Sequence, residues 1–205
     1  MSLIVKESSG ASTPPIDEGT YAAICSSVID LGDQYNEKFD KTSPKVLFEW
    51  TIPSETIEIK GEEVPRTVSQ TFTASLSDKA SLRKMLESWR GKKFTPEELN
   101  GFDLRNVAGV PCFISIIHAT SKDGTKTYAN VASIAKLPKG MPAPQFDGEI
   151  TIYEIDEDPI FEKATALPEW MFNRIKTSEQ YKAFENGTDA EPFGDAAEVD
   201  DWFKE

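Results

Sequence analysis

Aromatic residues interleaved with lysines are the side chains of this sequence best suited to chemistry. Tyr35, Lys38, Phe39, Lys41 and Lys45 fall within eleven positions, and Lys122, Lys126 and Tyr128 within seven. Arg90, Lys92, Lys93 and Phe94 form a third group. Ammonium and guanidinium groups track phosphates, and aromatic faces accept unpaired bases, so this mixture suits single-stranded nucleic acid. Stacking contributes about 1–3 kcal/mol per base, and two or three such aromatics suffice for useful affinity. Scattered surface lysines and core aromatics would give part of the same pattern. Phe48, Trp50 and Phe72 read as core, since they alternate with aliphatic residues.

Catalytic constellations are missing from the sequence. No phosphate loop, dinucleotide fingerprint, nucleophile elbow or zinc spacing occurs. His118, the one histidine, takes an inward strand position and reads as a packed residue. Asp156-Glu157-Asp158 reads as a solvated turn, because the spaced ligands of a calcium loop are lacking. Cys25 and Cys112 sit in apolar stretches without metal spacing and read as buried thiols. No cofactor, metal or enzymatic activity is expected.

Charge is divided unevenly along the chain. Residues 1–140 hold 17 Lys and Arg against 18 Asp and Glu, a net of −1. Residues 141–205 hold 5 against 17, a net of −12. The total of −13 therefore describes the last third, and a balanced core can still carry a basic groove. No run of about 20 apolar residues suggests a membrane span. The N-terminus lacks the basic start and apolar run of a secretory signal, so a cytoplasmic location is expected.

The elements that must position these residues are mainly β. Residues 1–18 read as a flexible arm. A small-residue strand follows over 20–31, ended by Gly32, and a polar loop covers 33–44. In the second strand Val46, Phe48, Trp50 and Ile52 share one face, while Lys45, Glu49 and Thr51 share the other. After a turn at Lys60-Gly61-Glu62-Glu63 the return strand places Val68, Phe72, Ala74 and Leu76 inward. Leu82, Met85, Leu86 and Trp89 form a helical stripe, with Ser77 or Asp78 as cap and Gly91 as stop. Thr95-Pro96-Glu97-Glu98 is a capping box. Two strands, 110–119 and 125–136, are joined by a turn containing Asp123-Gly124, a strong hairpin signal.

Residues 137–144 read as a linker. Residues 149–155 predict one further strand, and 167–184 a helix with apolar contacts from Trp170, Ile175, Tyr181 and Phe184 and a capping box at Thr177 and Gln180. Residues 185–205 carry eight acids and one lysine, too little apolar surface to offset ordering entropy, so disorder is expected.

The order β-β-β-α-β-β, with the helix between strands three and four, resembles the OB-fold barrel. That fold binds oligonucleotides on its second and third strands and through the loops joining strands 1–2 and 4–5. With Glu198-Val199-Asp200-Asp201-Trp202-Phe203 behind the barrel, the chain resembles bacteriophage-encoded single-stranded DNA-binding proteins. The resemblance implies an OB-like core at 19–140, an extension at 141–184 and an acidic tail at 185–205. It implies that Asp200, Asp201, Trp202 and Phe203 recruit replication or recombination proteins, and that the compartment is the host cytoplasm. The extension, without counterpart in a minimal barrel, is expected to pack on the core or on a partner, as in a homodimer. Two other classes fit the charge pattern: an acidic interaction protein or DNA mimic binding a basic partner, and a phage structural protein.

Overall fold

Alternating apolar residues build five long strands, and a computed structural model describes residues 14–187 of the chain. They are β1 (Gly19–Asn36), β2 (Lys41–Ile59), β3 (Glu62–Thr73), β4 (Pro111–Thr120) and β5 (Thr127–Ala135). Between β3 and β4 lie α1 (Ser81–Arg90) and α2 (Pro96–Leu99). A short β6 (Thr151–Tyr153), α3 (Glu169–Ile175) and α4 (Glu179–Glu185) follow. The sheet order is β3-β2-β1-β4-β5, antiparallel throughout, with β6 added parallel to β1. It curls into an open half-barrel. β3 and β5 come within 8 Å of each other without pairing.

The inner face is the one the alternation predicts. Val46, Phe48, Trp50 and Ile52 are buried, with Cys112, Ile114 and Ile116 from β4. Phe48 stacks on Trp50 at 5.7 Å and meets Phe72 edge-on at 5.8 Å. The α1 stripe closes this core: Leu82, Leu86 and Trp89 are buried, and Trp89 meets Trp50 edge-on at 6.2 Å. Burial pushes the Cys25 thiol up, and Cys112 up to about 12, so both are un-ionised packing groups.

One inward assignment on the return strand fails. β3 ends at Thr73, leaving Ala74 exposed, whereas Leu76, beyond the strand, still packs against the main core. The helix starts later than its polar signal suggests: its N-cap is Ala80, with no side-chain cap bond. Gly91 stops it in the left-handed conformation, φ 68°, and Thr95 with Glu98 closes the capping box.

The second strand's other face is not solvent-facing, as simple alternation suggested. Leu47 is fully buried and Thr51 nearly so. Residues 150–185 lie against this outer side and build a second core. Ile29, Leu31 and Leu47 there meet Tyr153, Ile155, Phe161, Met171 and Ile175. The extension therefore packs on its own half-barrel. β1 consequently loses its alternation, as strands buried on both faces do.

β1 also changes partner along one edge. It pairs with β4 up to Ile24, joins Val110 and Gly109 through the Cys25 amide and carbonyl, then pairs with β6 from Ser27 to Ile29. The short strand supplies partners for amides that β4 no longer reaches.

The predicted single helix over 167–184 is two helices broken at Thr177-Ser178. Ser178, not Thr177, is the cap, accepting from the Tyr181 amide. Gln180 instead accepts from the Asp33 amide (2.9 Å) and donates to its carboxylate (3.1 Å). Trp170 does not join the core and is exposed.

The arm is shorter than residues 1–18. Ile16 is buried in the main core, Pro14 accepts from Arg66, and the Glu18 carboxylate accepts from the His118 amide. The His118 ring bonds the Ile16 carbonyl at 2.8 Å, a packing role. Most of the expected acidic tail, 188–205, lies outside the described residues. Among the described residues no helix is long and apolar enough to cross a membrane.

Candidate nucleic-acid interface

The loop expected at 33–44 is a projecting β-hairpin. Pairing continues to Asn36 opposite Lys41, leaving only Glu37 to Asp40 as the turn. The Asn36 side chain accepts from the Lys38 amide, and Asp40 takes φ 46°. Aspartate tolerates that left-handed backbone better than most residues. Its carboxylate accepts from the Tyr35 hydroxyl at 2.7 Å, which fixes the ring beside the turn and pushes the phenol pKa up. Phe39 is 70% exposed and Tyr35 48%. Lys38 Nζ stands 5.5 Å from the Phe39 ring centre. Two aromatic faces thus stand in solvent with Lys38 and exposed Lys41 beside them.

Lys45 is different. Its Nζ donates to Thr73 Oγ1 at 2.6 Å across the β2–β3 ladder, and the residue is half-buried. It belongs to the sheet rather than to the tip.

The β4–β5 hairpin makes a second tip. Ser121 accepts from the amides of Gly124 (by its carbonyl) and Lys126 (by its hydroxyl). Gly124 takes φ 72°, the conformation that the Asp-Gly signal requires. Asp123 accepts from the Ser121 hydroxyl and the Thr125 amide, which hold its carboxyl down at about 2. Lys122 and Lys126 are exposed, and Tyr128, opposite Ala119, is half-exposed.

Register separates the two tips. Gly19 pairs with Ile116, so the β4–β5 tip lies beyond the start of β1, while the β1–β2 tip lies beyond its end. A straight strand of these 18 residues would span roughly 56 Å at about 3.3 Å per step, and curl and bulges shorten it. On the outward side between them the polar groups are Ser27, Glu49 and Thr67 rather than bases. Glu49 accepts from Ser27 at 3.2 Å, and burial pushes its carboxyl up.

The third group does not join them. Arg90 is drawn inward, bonded to Glu98, with its guanidinium 4.4 Å from the Phe94 ring and 5.2 Å from Phe102. Phe94 is buried. Lys92 is exposed but 3.7 Å from Glu98, and Lys93 is exposed. Arg90 and Phe94 are therefore packing residues, a correction caused by α2 folding Glu98 back onto α1. The tail residues Asp200, Asp201, Trp202 and Phe203 lie outside the described residues.

Asp40 is the tip residue that sequence reading missed. An aspartate closing a short polar run between two strands was the available signal. Among the described residues, no group of three or more His, Cys, Asp or Glu could hold a metal. What the fold and tips define is a curled antiparallel half-barrel with two aromatic-and-lysine hairpin tips. No family model and no curated protein matches the chain.

Proposed function

We propose that this is a single-stranded DNA-binding protein with an OB-type core, of the bacteriophage-encoded kind its sequence resembles. The observation that carries the reading is the β1–β2 tip, where Phe39 and Tyr35 are exposed beside Lys38 and Lys41. Bases stack on the two rings, and lysines at both tips neutralise the phosphates. Support also comes from the strand order β3-β2-β1-β4-β5 with α1 between β3 and β4. That is the order of an OB barrel, which binds through these same two loops. The acidic residues beyond 187 act as an anionic competitor and as a handle for replication or recombination partners.

The test is a fluorescence titration with oligo(dT), using the full chain and a chain ending at Gly187. The shortened chain loses seven acids and one lysine, a net of −6. It should bind more tightly at low salt, and the gap should narrow as salt screens the charge. Absence of binding by both forms would end this reading. Binding of a basic protein by the full chain alone would point to an acidic mimic, and a light-scattering mass of a large assembly to a structural protein.

A further inference from the structure

Four elements converge at the end of the β4–β5 hairpin away from its tip: the foot of α1, the short helical turn Leu104–Val107, the start of β4 and the end of β5. Between them lies a cavity of about 380 Å³, in the lower range of ligand pockets, about 300–1,000 Å³. Trp89, Phe102, Val107 and Val110 give it an apolar lining. Its walls are held in place by contacts of their own. The Trp89 indole donates to the Pro111 carbonyl at 3.1 Å, and Phe102 meets Phe94 edge-on at 5.0 Å. The Ser88 hydroxyl ties α1 to β5 by donating to the Ile134 carbonyl at 2.6 Å. A site built in advance loses less freedom when a ligand enters.

The charged residues lining the cavity are Arg90 and Lys136, both cations. Lys136 is exposed and adjoins the end of α1, since a Cβ at Gly91 would stand 3.6 Å from its Cδ. The two terminal nitrogens of Arg90 differ. Nη2 bonds Glu98, whereas Nη1 is buried and without a hydrogen-bond partner among the described residues. Contact with the Phe94 and Phe102 rings attracts the cation without giving that nitrogen an acceptor. A buried guanidinium donor lacking an acceptor calls for an anion. A single carboxylate answers it. A nucleic-acid strand suits the cavity less, because its run of phosphates would meet exposed Asp103, next to Phe102, and exposed Glu97, next to the Glu98 that Arg90 bonds.

We propose that this cavity is a binding site for a small planar aromatic carboxylate, its rings seated among Trp89, Phe102 and Val107 and its carboxylate accepting from Arg90 Nη1 and Lys136. An apolar body lined by aromatic and aliphatic side chains, oriented by a few convergent polar groups, is how small-molecule sites are built. The site is independent of the nucleic-acid reading, and its test contains no DNA.

The experiment titrates three probes of one shape into the isotope-labelled full chain and follows its amide NMR shifts: naphthoate, the neutral naphthamide and the cationic naphthylmethylammonium. Naphthoate should give saturable, one-site shifts centred on residues 89–90, 102–111 and 136–137, which line or adjoin the cavity. Hydrogen bonds to a charged group are the stronger kind, so the amide and the ammonium should each bind at least about tenfold more weakly. Lys136→Glu should weaken naphthoate at least about threefold, through loss of one cation and gain of an anion. Val110→Trp, which fills the cavity from its exposed side, should abolish the shifts, and Lys79→Glu, before α1, should leave them unchanged. No saturable shifts at about 2 mM naphthoate, a Kd above the millimolar range, would overturn the assignment. So would shifts centred on the hairpin tips, or equal affinity for the three probes. The probe comparison uses the unsubstituted chain, so it decides the matter even if a variant fails to fold.

Discussion

Removing Lys38 and Lys41 together should change how DNA binding responds to salt, whereas removing the tip aromatics should not. Four exposed lysines stand at the tips: Lys38, Lys41, Lys122 and Lys126. Lys45 is left out because Thr73 holds its Nζ at 2.6 Å. If each neutralises one phosphate, log K should fall against log salt with a slope of about −2.8, from −0.7 per phosphate on a single strand. A fourfold rise in salt, from about 50 to about 200 mM, then weakens binding roughly 50-fold, or about 2.3 kcal/mol. The Lys38→Ala/Lys41→Ala double variant halves the slope to about −1.4, and the same salt step costs only about 7-fold.

Phe39→Ala and Tyr35→Ala remove no charge. They should keep the slope near −2.8 and lower affinity at every salt by about 1–3 kcal/mol per lost stack, roughly 5- to 160-fold. The assay is an oligo(dT) fluorescence titration at three salt concentrations, with circular dichroism to confirm folding. A slope unchanged in the double lysine variant would place the phosphates elsewhere. A slope that falls with Phe39→Ala would mean that Phe39 acts by holding Lys38, across their 5.5 Å contact, and not by stacking.

Leu47→Ala should destabilise the fold by about 2–5 kcal/mol, because the side chain is fully buried on the sheet's outer face and truncation leaves a cavity. Urea unfolding measures it; a loss below about 0.5 kcal/mol, the range of exposed sites, would mean the extension does not pack there. Gly32→Ala should cost at least about 1–3 kcal/mol, since φ is +67° and a Cβ would meet Gln180 Oε1 at 2.7 Å and Ser178 Cβ at 2.9 Å. Faster amide exchange concentrated in 150–185 is the expected signature, and uniform exchange would argue against it. Glu49→Gln tests linkage. Burial raises the Glu49 pKa in the folded state, against bonds from Ser27 and Thr67 that lower it. The native state therefore binds more protons, and stability falls as pH rises from the ordinary carboxylate value through the raised one. The glutamine variant should melt higher than the parent at about pH 7, and that advantage should shrink towards about pH 4. An advantage independent of pH would refute the assignment.

How far the sequence reached follows from which interactions are local. The alternation of Val46, Phe48, Trp50 and Ile52, the stripe of Leu82, Leu86 and Trp89, the Gly91 stop and the Thr95–Glu98 box each depend on neighbours within one turn or one pleat. Each is visible in a window of ten residues. So were Tyr35, Phe39 and Tyr128 as candidates for exposure, because they sit in runs of polar turn formers. The OB-like strand order was an inference from element sequence, whereas the pairing itself depends on contacts more than a hundred positions apart in places, such as Ser27 with Thr151.

What only the tertiary structure decided lies in those long-range contacts. Lys45 and Lys41 are both lysines beside the same hairpin, yet Thr73 withdraws one and leaves the other in solvent. Arg90 looked like a surface cation until α2 brought Glu98 and Phe94 against it. Thr51 looked outward, yet it is buried, and on the same side residues of the 150–185 extension cover Leu47. The division of charge first seen along the chain takes its spatial meaning in the same way. Composition determined that the first 140 residues are nearly neutral. The register of β1 with β4 decided that the lysines of the two hairpin tips stand at separate ends of β1, because side-chain position in a sheet is set by pairing partners that no local pattern specifies.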